Sequence, residues 1–209
     1  MPSLAKGRCR RKATDEVYIF NFGVCNMSVT CEKNDVEYVL LTEDQIKKRV
    51  EEMGRKLSEL YEDKCPIVAA VLKGGSVFFT DLVRSMDCLM FFDFISVSSY
   101  GNDVKSSGQI IMRKDFDNDI AGKDLIIVED IVDSGLTLSY LKDYLYDRKA
   151  KSVITVSLLN KYNCHPKDLN PTMYGFDIED NFVVGYGLDY AGYYRNLPYI
   201  GVLRPEVYS

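Results

Sequence analysis

The sequence predicts an α/β fold, a doubly wound parallel sheet flanked by helices, with a small hood subdomain beside it. Three observations carry this. Ile67–Leu72, Leu125–Val128 and Ser152–Leu159 are short, largely apolar runs rich in β-branched residues, the composition of strands buried on both faces. The first two run directly into a polar turn containing glycine and then into apolar residues at helical spacing. Strands and helices alternate from Val39 to Leu159, an order that places ligands at the carboxyl ends of the strands.

At 209 residues the chain is long enough for one domain with a full core. Its 46% hydrophobic and 27% charged residues describe an ordinary soluble globular protein. The net charge of −5 argues against a nucleic-acid binder. Six cysteines (Cys9, Cys25, Cys31, Cys65, Cys88 and Cys164) form no C-x-x-C pair, and with a single His165 they assemble no zinc-ligand set. Reduced thiols in a cytosolic, cytoplasmic protein are expected. One histidine, in a Cys164-His165-Pro166 loop segment, also disfavours a Ser-His-Asp or Cys-His hydrolase. No apolar run approaches the roughly 20 residues that span a bilayer, so no membrane partner is expected.

Taken in order, residues 1–35 do not read like the rest. Lys6–Lys12 is a basic cluster and Tyr18–Phe22 a short apolar run, while Asp15 and Glu16 break the acid-poor pattern of a transit segment. A poorly ordered extension is expected there, ahead of a domain spanning 36–209. Thr42-Glu43-Asp44-Gln45 reads as a capping box, and Ile46, Val50, Met53, Leu57 and Leu60 mark one face of a helix ending near Asp63. Pro66 breaks it. The strand Ile67–Leu72 leads into Lys73-Gly74-Gly75-Ser76 and a helix carrying Val77, Phe78, Leu82 and Val83. That unit suits an anion site, or equally a tight turn whose glycines serve geometry alone. Met90–Val97 is a strand, Ser98–Gly108 a small polar loop, and Gln109–Met112 the returning strand. Ser152–Leu159 ends in Asn160-Lys161, Asn163–Pro171 is loop, and Tyr174–Ile178 is a short strand. Asp180-Asn181 turns the chain, Leu197–Val202 forms the last strand, and order should end at Arg204-Pro205.

The stretch that organises the chain is Asp124–Leu141. Glu129 and Asp130 stand where its strand should end, followed by the turn Asp133-Ser134-Gly135 and by Leu138, Leu141 and Leu145 at helical spacing. A strand, a glycine turn and a helix start turn unpaired N–H groups and the helix dipole toward an anion, and Ser134 and Thr137 can add hydroxyl donors. The carboxylates make sense beside a polyol or a hydrated divalent metal. The same pattern fits an acidic strand end before a capped helix equally well.

The segment Val128-Glu129-Asp130-Ile131-Val132-Asp133-Ser134-Gly135-Leu136-Thr137 resembles the 5-phosphoribosyl-1-pyrophosphate (PRPP) signature of type I phosphoribosyltransferases. With Leu72-Lys73-Gly74-Gly75, Ser99-Tyr100, Lys161 and the Phe182–Arg195 region, the resemblance narrows to the hypoxanthine-guanine phosphoribosyltransferases in their bacterial form, from about Val39 to the C-terminus. It implies that family's fold, with the hood built from about 36–41 and 165–209. It further implies that Glu129 and Asp130 hold the ribose diol, Asp133 is the catalytic proton acceptor, and the turn from Ser134 through Gly135 and Leu136 to Thr137 takes the 5′-phosphate. Lys73, Gly74, Gly75 and Arg195 would contact pyrophosphate, the Leu72–Lys73 peptide can be cis, and Ser99 and Tyr100 would form a lid. Lys161 would meet the purine 6-oxo group, Phe182 would stack on the ring, the Val183 backbone would read its edge, and Asp189 would serve the same site. Glu129, Asp130 and Asp189 are the implied Mg²⁺ ligands. Leu136 replaces the lysine of animal relatives, as in bacterial ones. The expected reaction is transfer of ribose 5-phosphate from PRPP to hypoxanthine or guanine, by a homodimer or homotetramer without nucleic-acid partners. The alternatives are a PRPP-binding regulatory protein of the same fold and a xanthine-preferring enzyme.

Overall fold

The computed structural model describes residues 35–99 and 110–209. The expected N-terminal extension, Asp35 apart, lies outside the described residues, as do Tyr100 and the rest of the expected lid loop beyond Ser99.

The apolar runs become the central strands of a six-stranded sheet. Its members are β2 (Ile67–Leu72), β3 (Phe91–Ser99), β4 (Ile110–Lys114), β5 (Asp124–Val132), β6 (Ser152–Asn160) and β7 (Met173–Asp177), in the order β4-β3-β2-β5-β6-β7. All neighbours pair in parallel except β4, which returns antiparallel along β3 and forms one edge of the sheet. Alternation along the strands sends Val68, Ala70, Ile126 and Val128 into one apolar cluster and Ile67, Ala69, Val71, Leu125 and Ile127 into another. Helices α1 (Glu43–Leu60) and α2 (Ser76–Arg84) close the first cluster with Ile46, Val50, Met53, Leu57, Phe78 and Leu82. Helix α3 (Leu136–Asp147) closes the second with Leu141 and Leu145. Sequence runs apolar throughout are what a sheet covered on both faces requires.

Helix α1 begins with the expected capping box: the Gln45 N–H donates to Thr42 Oγ1 at 3.3 Å and the Thr42 N–H to Gln45 Oε1 at 2.9 Å. It stops at Leu60, which is 55% exposed, and Tyr61 makes the last buried contact in its place.

A second, three-stranded antiparallel sheet joins β1 (Val36–Leu41), β9 (Ile200–Leu203) and β8 (Val183–Val184), with β9 in the middle. It brings the two ends of the domain together where the hood was expected. Within the range 165–209, however, β7 pairs with β6 in the large sheet, so the hood sheet draws on less of the chain than expected. Order also continues past Arg204, because Pro205, with its fixed φ, opens a helical turn α4 (Pro205–Tyr208).

Candidate active site

From β2 the chain moves to β3 on one side, and it later enters β5 on the other side of β2. The sheet's winding reverses there, and in such sheets the crevice outside the carboxyl ends of those two strands receives ligands.

At the end of β2 the Leu72–Lys73 peptide is cis. The loop folds onto itself: Ser76 Oγ donates to Lys73 O at 2.7 Å, and the Gly75 N–H donates to Val71 O at 3.2 Å. Lys73 is exposed. Gly74 lies so close to Asp130 that a Cβ there would collide with Asp130 Oδ2. Glycine at this position is therefore a packing requirement linking the two strand ends.

Strand β5 does not stop at Glu129. It continues to Val132 because β6 keeps pairing with it, Glu129 opposite Ser157, Ile131 opposite Leu159 and Val132 opposite Asn160. Glu129 is thereby almost fully buried. Burial, and then the neighbouring Asp130 charge, push its carboxyl well above the ordinary range. Burial also raises Asp130, against the Ile131 N–H and the Arg195 charge.

The following turn reaches α3 through Gly135, whose φ of 73° is left-handed and whose Cβ would stand 2.9 Å from Leu169 Cβ. No side chain caps α3 with a hydrogen bond of ordinary length: the Leu136 N–H lies 3.5 Å from Ser134 Oγ. Helix α2 likewise starts without a side-chain cap. Helix α1, which lines neither cleft described below, is fully capped. Neither helix beginning at the crevice is closed by a side-chain cap of ordinary length, although at α2 the Gly75 and Ser76 N–H groups already donate to Val71 O and Lys73 O.

Two clefts open here. One, of about 220 Å³, is lined by Glu129 through Gly135 with Thr137 and Leu138. The other, of about 300 Å³, is bordered by Lys161, Asn181, Phe182, Val183, Leu188 and Asp189. Both include Asp130, Ile131 and Asp133. In the second cleft Lys161 Nζ bonds Asp180 Oδ1 at 2.8 Å and stands 3.5 Å from Asp133 Oδ2. Burial pulls the Lys161 ammonium down, but the Asp180 hydrogen bond and the charges of Asp133 and Asp180 outweigh it, leaving it above its ordinary value. The same bond holds Asp180 below the carboxylate range. Asp189 pairs with Arg195 (Oδ1–Nη2 2.6 Å) and accepts from the Gly192 N–H at 2.7 Å, while Arg195 Nη1 donates to Gly187 O.

The structure therefore gathers Glu129, Asp130, Asp133, Ser134, Gly135, Thr137, Lys161, Phe182, Val183 and Asp189 around two adjoining clefts. Leu136, 55% exposed, begins α3 without lining either. Glu129, Asp130 and Asp189 do not converge on one point. Among the described residues the one acidic or thiol trio with ligand atoms within 4.8 Å of one another is Asp133, Cys164 and Asp180. Sequence reasoning missed Asp180, Ile131 and Leu188. Asp180 reads as a turn residue, and only the fold brings it to Lys161; Ile131 and Leu188 stand inside the quoted motifs without an assigned role and border the second cleft. His165 is structural, bonded to Asn160 Oδ1 at 2.9 Å beside the Gly135 turn.

The family profile of the phosphoribosyl transferase domain matches residues 40–191. The chain is 50% identical over 177 residues to the hypoxanthine-guanine phosphoribosyltransferase of Bacillus subtilis, covering 85% of this chain and 98% of that one. It is 45% identical over 174 residues to the enzyme of the same name from Lactococcus lactis, covering 83% and 94%. A crystal structure of a hypoxanthine phosphoribosyltransferase from Staphylococcus aureus superposes with a TM-score of 0.82 at 42% identity, covering 88% of this chain and all of that one.

Proposed function

The chain belongs to the phosphoribosyl transferase domain family, among the hypoxanthine-guanine phosphoribosyltransferases, and from that premise we propose a purine-salvage enzyme. It transfers ribose 5-phosphate from PRPP to N9 of hypoxanthine or guanine, giving IMP or GMP and pyrophosphate. The observation that carries this reading is the junction of the two clefts, where Asp130, Ile131 and Asp133 border both. A sugar phosphate in one and a base in the other would meet beside Asp133.

The turn from Ser134 to Thr137 and the open start of α3 hold the 5′-phosphate, and Glu129 with Asp130 accept from the ribose hydroxyls. Lys161 donates to the purine 6-oxo group and the Phe182 ring supplies the stacking surface. Asp133, beside Lys161, accepts the proton that the purine loses as the glycosidic bond forms. Lys73, Gly74 and Arg195 face the departing pyrophosphate, and Gly75 lets α2 pack against Val71 O and Val128 O.

Mg²⁺ is the proposed divalent metal, held by single carboxylates rather than by a converging set. Glu129, Asp130 and Asp189 are hard oxygen ligands beside an open crevice rather than a closed cage, and Mg²⁺ is commonly held by one or two carboxylates with substrate phosphates completing its shell. When bound it would neutralise the leaving pyrophosphate. The finer partner reading is a homodimer or homotetramer, supported by the exposed Leu89, Phe91 and Phe92 at 82%, 66% and 64%. Light scattering tests it.

The deciding experiment is a rate panel over hypoxanthine, guanine, xanthine and adenine with PRPP and Mg²⁺, repeated in excess EDTA. Turnover of the first two that EDTA abolishes is expected. Absence of turnover with either, or full turnover in EDTA, overturns the respective part of the reading.

A further inference from the structure

Helical turn α4 returns the C-terminus to the second cleft. The Leu203 N–H donates to Phe182 O at 2.8 Å, and Arg204 then leads into Pro205–Tyr208. The Tyr208 ring stacks on the Phe182 ring with centroids 4.6 Å apart and planes 19° from parallel. Tyr190 meets the same ring edge-on at 5.6 Å and 85°. Phe182 borders the cleft of about 300 Å³, whereas neither tyrosine does. One face of Phe182 is thus occupied by Tyr208, which does not border the cleft, and Phe182 as a residue remains 36% exposed. A ring already fixed by a stacked neighbour loses less rotamer freedom when a planar ligand settles on it.

We propose that Tyr208 is a positioning residue for the purine, backing Phe182 so that its open side is presented to the base. The inference rests on the reading that this cleft takes a 6-oxopurine. It does not follow from the position of Tyr208 in the sequence, four residues beyond the point where order was expected to end.

The test compares wild type with Tyr208→Ala and Tyr208→Phe by calorimetric titration of GMP and of ribose 5-phosphate, which lacks the base. Steady-state kcat and KM for guanine and PRPP accompany it. Tyr208→Ala should weaken GMP about three- to tenfold, the range an aromatic pair supplies, and raise the guanine KM in proportion. Its affinity for ribose 5-phosphate, its PRPP KM and its kcat should be unchanged, and Tyr208→Phe, which keeps the ring, should match wild type. Equal losses for GMP and ribose 5-phosphate would mean general damage to the fold and overturn the proposal. So would unchanged or tighter GMP binding by Tyr208→Ala, the latter showing that Tyr208 competes with the base. Wild type that ignores GMP sinks the purine reading and this inference together. Wild type that binds GMP, with Tyr208→Ala its equal, sinks only the role of Tyr208.

Discussion

Lys161 carries only donors, so in the proposed site it would satisfy the carbonyl oxygen of hypoxanthine or guanine and oppose the amino group of adenine. Its hydrogen bond to Asp180 and the nearby Asp133 charge favour the charged ammonium. A site built on such a bond rejects the wrong partner by up to ~10⁴. Lys161→Gln offers both a donor and an acceptor, so it should lower kcat/KM for guanine and narrow the guanine-to-adenine ratio; an unchanged ratio would remove Lys161 from base recognition. Asp133→Asn keeps the shape of the turn but removes the carboxylate proposed as proton acceptor. It should reduce kcat by roughly 10²–10⁴-fold with little change in PRPP affinity. A near-wild-type kcat would make Asp133 a turn residue only. Lys161, Asp133 and Phe182 were singled out through the family resemblance, and the structure places all three on the border of one cleft. Asp180 was not legible, because its link to Lys161 spans 19 residues and exists only once β6 and the segment beyond β7 lie side by side.

At the scale of elements, apolar runs and periodicity located the strands of the large sheet and helices α1 to α3 but not β1, β8 or α4, and the errors have physical causes. β5 outruns its apolar stretch through Glu129 and Asp130 because the ladder to β6 continues irrespective of side-chain polarity. α1 ends at Leu60, short of Asp63 and with Leu60 exposed, and Pro205 starts a turn where a stop was expected. The capping box was fully readable, since all its contacts lie within four residues. Thr42→Ala should cost about 1 kcal/mol, lowering Tm by roughly 2–4 °C for a chain of this size; thermal unfolding by circular dichroism checks it. The glycine loop after β2 was readable as a glycine loop, but not its contact with Asp130, which joins segments 56 positions apart in number. Gly74→Ala must displace that carboxylate or the loop, and a misplacement near 1 Å costs ~10²-fold. A kcat/KM for PRPP that stays at the wild-type level would show the loop absorbs the methyl group freely.

For the whole molecule, the alternation of strands and glycine turns implied the sheet, and the sheet's reversal between β2 and β5 locates the crevice. The three-stranded sheet was not legible in any local pattern, because it pairs strand β1 with β9 at the other end of the described domain. No helix of the described residues is long and apolar enough to cross a membrane. What the first 26 residues contribute is then a question about charge. They hold Lys6, Arg8, Arg10, Arg11 and Lys12 against Asp15 and Glu16, so starting the protein at Met27 moves the net charge from −5 to −8. A basic arm could steer an anionic substrate, but screening confines such steering to about 8 Å at physiological ionic strength. The family profile begins at residue 40, and 177 residues of this chain match 98% of the B. subtilis relative. Truncation to Met27 should therefore leave kcat/KM for guanine and PRPP at about 0.15 M salt within about threefold, under ~1 kcal/mol. Loss of solubility, or a larger fall in rate, would show that the extension belongs to the working domain.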